Sequence, residues 1–445
     1  MAEILPITPF KNPPRGTIEI PGSKSIANRA LILGALKEGS THLKNLPDCE
    51  DVSLMIKALQ NLGIRIDRNQ KDVVIHGTGG KIPNKKATLE VGNAGTVLRF
   101  LIPLLALCPE GNYELKGIAL TKKRPVFSLL DALQKSQAIT YSQEVPGTLH
   151  LKTSGINTQS LEINAKESSQ FLSALLLIAP FAEKLEKITN PSTHPSKPFI
   201  DLTLSLLHQF GHRIHTDGNT YLVDKKEVTN PLHTFSVEPD ATAISYFAAL
   251  IIAQKGGQLQ FPGIPPLSFQ GDWQFLSFLK PYGLEQNYQN NTLFLQYKKP
   301  AYTHPRTFNF NAISDTFLSL AAIAPLLEKP IEIRGIAHTR KQECDRIIVM
   351  AEALTKIGQT VEVFEDGMKI TPQPINPSII IETQEDHRVA MSLAILGTHD
   401  HLGNGKPWLQ LKNPQCCGKS FPDFFTQLEM LERQTNAKEI YCHRN

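Results

Sequence analysis

A chain of 445 residues exceeds what one hydrophobic core supports, so two domains are expected. An apolar share of 41 % and a charged share of 20 % are those of a globular protein, and a net charge of +4 with no Lys/Arg block is too small and too dispersed to argue for a nucleic-acid binder. Six cysteines without a CxxC pair, a start without a leader pattern, and apolar runs well short of about 20 residues imply a reduced, cytoplasmic chain with no membrane span.

In chain order, a strand-like run at 16–20 is broken by Pro21-Gly22, and a helix follows with apolar residues at Ile26, Ala30, Leu33 and Leu36. Ser23 or Ser25 can cap it, Lys24 stands at its mouth and Arg29 lies one turn in. The exposed N–H groups and dipole of such an N-terminus favour anions, and two cations strengthen that preference. Five more short apolar helices open on polar clusters: Asn93-Ala-Gly-Thr96, Ser168-Ser-Gln170, Asp240-Ala-Thr242, Ser314-Asp315 and Asp386-His-Arg388. From Ser25 through Thr96, Ser168, Asp240, Asp315 and His387 the steps are 71, 72, 72, 75 and 72 residues, a repeat.

A second helix type runs in phase, starting near Asp51, Arg124-Pro125, Asp201, Asp272, Asp345 and Asp423. Pro125 suits a first helical position, and Gly63, Gly211, Gly283 and Gly358 suit left-handed caps. Short alternating runs at 72–76, 148–152, 161–163, 292–295 and 379–381 read as strands. Each unit is therefore βαβαββ, and six units packed three by three, helices inward and sheets outward, give an α/β protein with two cores. The polar tail from Gln434 reads as an extension outside the repeats.

Basic residues recur at or near the helix starts: Lys24, Arg29, Arg99, Arg124, Arg346, Arg388 and Lys419. Uncharged donors lie between them: Ser25, Asn93, Gly95, Thr96, Ser168, Ser169, Gln170 and Ser196. Asp315, Glu343 and His387 add groups able to move protons. If the helix tips of two domains face one another, these residues line a cationic cleft able to neutralise about five or six negative charges. Plainer readings stay open: Asp315 as a helix cap, Glu343 as a first-turn acid, His387 as a core histidine. Arg29 and Arg99 resist a plain reading, because a buried arginine needs an anion or a carboxylate.

The same residues resemble the enolpyruvyl transferase family, in its branch acting on shikimate 3-phosphate. The resemblance is carried by Pro21-Gly-Ser-Lys-Ser-Ile-Ala-Asn-Arg-Ala30, Gly92-Asn-Ala-Gly-Thr96 with Arg99, Arg124-Pro125, Ser168-Ser-Gln-Phe-Leu-Ser-Ala174, Ser196-Lys-Pro198 with Asp201, and Asp240-Ala-Thr-Ala-Ile-Ser-Tyr246. It continues through Ile313-Ser-Asp315, Glu343-Cys-Asp-Arg346, Asp386-His-Arg388 and Lys419-Ser-Phe-Pro-Asp423, in family order over nearly the whole chain.

What the resemblance implies is a two-domain inside-out α/β barrel, each domain of three βαβαββ units. Residues 22–238 would form one domain and residues 1–21 with 239–433 the other, leaving 434–445 as a C-terminal extension. It implies enolpyruvyl transfer from phosphoenolpyruvate to the 5-hydroxyl of shikimate 3-phosphate, on the way to chorismate and the aromatic amino acids. Neither metal nor other cofactor is expected, and neither nucleic acid nor membrane. The chain is expected to be a cytoplasmic monomer whose domains close on the acceptor. Lys24, Ser25, Arg29, Ser168, Ser169, Gln170, Ser196, Asp315 and Gln342 would hold shikimate 3-phosphate. Lys24, Gly95, Arg124, Gln170, Arg346, Arg388 and Lys419 would hold phosphoenolpyruvate. Asp315, Glu343 and Lys24 would be catalytic, and glyphosate would compete with phosphoenolpyruvate because Gly95 leaves room beside Arg124.

Three positions depart from the common family pattern: Gln342 stands where a Lys is usual, His338 where an Asn is common and Phe199 where a Tyr is common. The sister branch acting on UDP-N-acetylglucosamine carries a cysteine in the loop before its Arg-Pro. The stretch 116–124 here has none, and Ser168-Ser-Gln170 also favours the shikimate branch. A non-catalytic anion-binding relative is the remaining alternative, suggested by Gln342 alone.

Overall fold

The computed structural model describes residues 3–120, 125–192, 196–225, 232–300 and 306–442, without the side chains of Arg306 and of residues 437–442. The chain divides into two compact units, residues 22–237 and residues 1–21 with 238–445. In the first unit the helices are α1 (Lys24–Leu36), α2 (Glu50–Asn61), α3 (Gly95–Ala106), α4 (Phe127–Lys135), α5 (Ser169–Ile178) and α6 (Pro198–Gln209). The second unit carries α7 (Ala241–Ala253), α8 (Gln274–Leu279), α9 (Phe317–Ile323), α10 (Arg346–Lys356), α11 (His387–Gly397) and α12 (Phe424–Cys442).

Among the described residues the strands form five four-stranded sheets and one three-stranded sheet. The same pairing recurs: a parallel pair, such as Lys86–Glu90 with Pro109–Lys116, continued by an antiparallel hairpin, here Thr148–Ser154 with Ile139–Ser142. The three-stranded sheet completes itself with the chain's first strand, Ile4–Pro6, paired antiparallel to Leu409–Lys412. Each repeat thus contributes most of one sheet, with two edge strands exchanged: Thr234–Ser236 completes the sheet of the first repeat and Arg15–Thr17 that of the fourth. Residues from Ile26 to Leu36 of α1 are all buried, as is the whole of α7, which places these helices in the cores. α1, α3 and α5 pack on one another in the first unit, and α7, α9 and α11 do so in the second.

Several local expectations hold. Gly63 and Gly358 follow α2 and α10 with φ of +85° and +102°, a conformation that costs a side chain but not glycine. Others need correction. The cap of α1 is Ser23, without a side-chain cap bond, so Ser25 lies in the first turn. Pro125 precedes the cap of α4, Val126, rather than opening the helix. The tail expected to leave the fold at Gln434 continues α12. Gln434 Oε1 accepts from Thr17 N at 3.0 Å, and Thr435 Oγ1 from Arg15 N at 3.0 Å, sealing the edge of the strand Arg15–Thr17. None of the helices described is long and apolar enough to cross a membrane.

Asn45 secures both ends of the first unit where the chain enters and leaves it. Its φ is +58°, its amide donates to Val237 O at 2.9 Å, and its carbonyl lies so close to Gly22 that a β-carbon there would stand 2.0 Å away. In the second unit Asp240 N donates to Pro21 O at 2.9 Å, tying the start of α7 to the same crossing.

Candidate active-site residues

Charge is distributed unusually over the helix starts. α1, α3, α5, α7, α9, α10 and α11 carry no acid in their first turns, whereas α2 carries Glu50 and Asp51 and α6 carries Asp201. α1 opens on Lys24, α10 on Arg346 and α11 on His387-Arg388. A cation at the positive end of a helix dipole is disfavoured by about 0.3–1 kcal/mol, so folding alone does not select this arrangement.

In the first unit Lys24 Nζ lies 2.8 Å from Asp51 Oδ2, and Asp51 is buried. Ser25 is half-buried, and its carbonyl accepts from Arg29 Nη1 at 2.9 Å. The Arg29 guanidinium is 2 % exposed; it also donates to Thr203 Oγ1 at 2.8 Å and Phe199 O at 3.3 Å, and lies over the rings of Phe100 and Phe199. Of the two partners expected for it, an anion or a carboxylate, no carboxylate is among those found: its partners among the described residues are neutral oxygens and aromatic faces. Burial pushes its pKa down to about 9, which leaves it charged at neutral pH.

Arg99 settles the orientation of Gln170. Its Nη1 donates to Gln170 Oε1 at 2.8 Å and its Nε to Pro125 O at 3.0 Å, with the guanidinium over Phe171. Arginine only donates, so the amide oxygen must face it, and the Gln170 NH₂ points the other way. Ser168 caps α5, its Oγ accepting from Gln170 N at 3.2 Å. Ser169 is buried at the first position of that helix, and Gly95 holds the same place in α3. Ser196 is buried with a φ of +56°, a left-handed backbone just before α6. Arg124 lies outside the described residues.

In the second unit one guanidinium organises everything. Arg346 is 1 % exposed and spreads its donors over three carboxylates and an amide. Nε reaches Asp386 Oδ2 at 2.7 Å, Nη2 reaches Glu343 Oε2 at 2.8 Å and Asp386 Oδ1 at 3.3 Å, and Nη1 reaches Asp315 Oδ1 at 2.8 Å and the Gln342 side-chain oxygen. Asp315 is held from its other side by Arg388 Nη2 at 2.9 Å, and Glu343 by Lys419 Nζ at 3.4 Å. Burial opposes the charge on Arg346, but the surrounding acids outweigh it and raise its pKa well above the ordinary value.

This geometry decides two of the open readings. The cap of α9 is Thr316, so Asp315 is not capping; Asp345 caps α10 through Ile348 N, so Glu343 lies before the helix rather than in its first turn. His387 is 1 % exposed with Nδ1 3.7 Å from Asp386 Oδ1, a core position. Lys24 in one unit, and Arg346, Arg388 and Lys419 in the other, each have a carboxylate within 4 Å, whereas Arg29 and Arg99 donate to neutral oxygens.

Three contributors escaped the sequence. Asp386 caps α11 through Arg388 N at 2.9 Å while its other face aligns Arg346, and the capping pattern concealed the second role. Asp51 looked like an ordinary first-turn acid. Asp272 is buried, accepts from the Thr242 hydroxyl, and has its pKa pushed up to about 7 by burial and then by Asp315; nothing in its local sequence announces this.

His338 Nε2 lies 2.8 Å from Ser314 Oγ, beside Asp315, and burial pushes its pKa down to about 4. The unfolded chain therefore binds the extra proton between about pH 6.5 and 4, and native stability falls as pH drops through that window, by at most about 1.4 kcal/mol per unit. His338→Asn is expected to flatten this part of the stability–pH curve, read by urea unfolding at pH 7, 6 and 5. An unchanged slope contradicts it.

The EPSP synthase (3-phosphoshikimate 1-carboxyvinyltransferase) family model matches residues 11–428. A 3-phosphoshikimate 1-carboxyvinyltransferase from Opitutus terrae is 40 % identical over 445 aligned positions, covering 98 % of this chain and 99 % of that one. Another from Photobacterium damsela subsp. piscicida is 35 % identical, covering 94 % and 97 %. Among solved structures, EPSP synthase from Acinetobacter baumannii superposes with a TM-score of 0.74 at 23 % identity, covering 96 % of this chain and 98 % of that one. The enolpyruvyl transferase NikO from Streptomyces tendae does so with a TM-score of 0.70 at 14 % identity, covering 97 % and 98 %. These structures share the fold.

Proposed function

The chain belongs to the EPSP synthase (3-phosphoshikimate 1-carboxyvinyltransferase) family, and from that premise we propose how its residues divide the reaction. The activity is transfer of the enolpyruvyl group of phosphoenolpyruvate to the 5-hydroxyl of shikimate 3-phosphate with release of phosphate, a step of aromatic amino-acid biosynthesis. The observation that supports the assignment best is the pair Asp315 and Glu343, two carboxylates held by the same buried guanidinium and each held again by a second cation.

In this reading Glu343 delivers a proton to the methylene carbon of phosphoenolpyruvate, and Asp315 takes the proton of the attacking 5-hydroxyl. The addition gives a tetrahedral ketal phosphate. Elimination returns the methyl proton and expels phosphate, whose departing charge Lys24 offsets. Arg346, Arg388 and Lys419, with Lys24, Gly95, Arg124 and Gln170, hold phosphoenolpyruvate. An incoming anion that takes over Arg346 and Arg388 frees Asp315 to accept its proton. Ser25, Arg29, Ser168, Ser169, Gln170, Ser196, Asp315 and Gln342 hold shikimate 3-phosphate. Gln342 spends its oxygen on Arg346, which leaves its NH₂ as the group available to the acceptor.

Phosphate release in the presence of both substrates tests the assignment. It is expected to require shikimate 3-phosphate and to stop when that acceptor is replaced by UDP-N-acetylglucosamine; turnover with the nucleotide sugar, or none with either, overturns it. Glyphosate is expected to raise the KM for phosphoenolpyruvate without lowering kcat, and unchanged turnover at saturating glyphosate contradicts this.

Arg99→Met removes the donor that turns the Gln170 amide. Loss of a charged hydrogen bond of about 1.5–3 kcal/mol predicts a KM for the acceptor raised roughly tenfold or more, with a smaller change in kcat. Equal KM in variant and wild type contradicts the positioning role.

A further inference from the structure

We propose that the neighbouring thiols Cys416 and Cys417 form a reversible oxidation site, in which a hydroperoxide converts the dithiol to a Cys416–Cys417 disulfide and withdraws Lys419 from Glu343. Both cysteines lie on the short 3₁₀ turn Pro414–Lys419, which ends on the lysine whose Nζ stands 3.4 Å from Glu343. Their effect on turnover rests on the functional reading above. The chemistry of the pair does not.

The two thiols occupy different surroundings. Cys416 is half-buried, with Sγ 3.8 Å from Thr383 Oγ1. Cys417 is 2 % exposed, its Sγ directed at His387 O at 3.9 Å. The Cys417 thiol holds the Cys416 pKa below its ordinary value, against burial and the charges of Asp386 and Glu385, while burial pushes the Cys417 thiol well up. One sulfur is therefore the accessible nucleophile and its neighbour the protonated partner that resolves it, the division of labour found in reactive dithiols. Cys344 is also close, bonded to Asp386 Oδ2 at 3.5 Å, but burial pushes its thiol up and it lies on another segment. Among the described residues no three His, Cys, Asp or Glu side chains are placed to hold a metal ion.

The reaction balances as follows. The Cys416 thiolate attacks one hydroperoxide oxygen, the O–O bond breaks, and an alcohol or water leaves with the Cys416 proton. The sulfenic acid so formed is attacked by the Cys417 sulfur; the S–S bond forms and the hydroxyl leaves as water with the Cys417 proton. Adjacent Cα atoms are about 3.8 Å apart, short of the usual ~4.4–6.8 Å disulfide span, so ring closure must twist the intervening peptide out of its helical geometry. The next carbonyl along, Cys417 O, accepts from Ser420 N at 3.1 Å and Phe421 N at 2.9 Å, closing the turn that contains Lys419, so a twist at the preceding peptide re-aims the acceptor that holds this turn. A strained bond of this kind is easily reduced, so the change is reversible.

The test treats the full chain with hydrogen peroxide, digests it and weighs the peptide carrying both cysteines. Wild type is expected to give a peptide two hydrogens lighter, restored by dithiothreitol, and Cys417→Ser one heavier by oxygen. Turnover of the wild type falls at least about tenfold on oxidation and recovers on reduction, while Cys416→Ser is insensitive. A peptide that stays reduced while Cys344 oxidises, or a disulfide joining Cys344 to either, overturns the site. Formation of the vicinal disulfide with turnover unchanged overturns the coupling to Lys419. The mass readout decides the chemistry even if the assigned substrates prove wrong.

Discussion

Arg346→Met is expected to lower unfolding free energy by about 3–5 kcal/mol, because a buried guanidinium removed from its partners leaves uncompensated charge. Asp386 is completely buried and loses two hydrogen bonds, and Asp315 and Glu343 lose the group that sets their separation. Turnover falls by ~10³-fold or more, since an electrostatic contact and two proton-moving groups fail together. Arg346→Lys recovers less than its charge suggests: one ammonium cannot reach three carboxylates in the fixed directions of a guanidinium. Urea unfolding and steady-state kinetics on the same samples check both numbers. A variant that loses activity without losing stability contradicts the description of Arg346 as the centre of a buried network.

Glu343→Gln and Asp315→Asn are expected to cut kcat by roughly 10²–10⁴-fold each, the usual worth of a positioned acid or base. An amide keeps one oxygen to accept from Arg346, so the KM for phosphoenolpyruvate changes little beside kcat. The two losses are expected not to add in the double variant, because the second proton transfer is idle once the first is blocked. Single variants that raise KM and spare kcat would instead make these carboxylates ligands rather than proton carriers.

How much of this was legible beforehand follows from what kind of signal each residue leaves. The spacing from Ser25 to His387 reports repeated helix starts, and the five four-stranded sheets that share one strand order are its physical counterpart. Lys24, Arg346 and Arg388 could be read because cations at helix starts oppose the dipole, and the structure places each on a first turn. Asp386 was hidden by its own capping position. Asp51 and Asp272 could not be found, because their partners Lys24 and Thr242 lie 27 and 30 residues away and no periodicity marks such pairs. The acids that pair with Lys24, Arg388 and Lys419 were hidden for a related reason: basic residues recur visibly at the helix starts, while Asp51, Asp315 and Glu343 come from other elements.

Solvent-deuterium uptake into the methylene group of phosphoenolpyruvate tests the central assignment most directly. In heavy water with shikimate 3-phosphate present, the wild type is expected to label that carbon, and Glu343→Gln to leave it unlabelled while still binding both substrates. Labelling at the wild-type rate in Glu343→Gln would show that the proton comes from elsewhere, and the proposed roles of both carboxylates would fall with it.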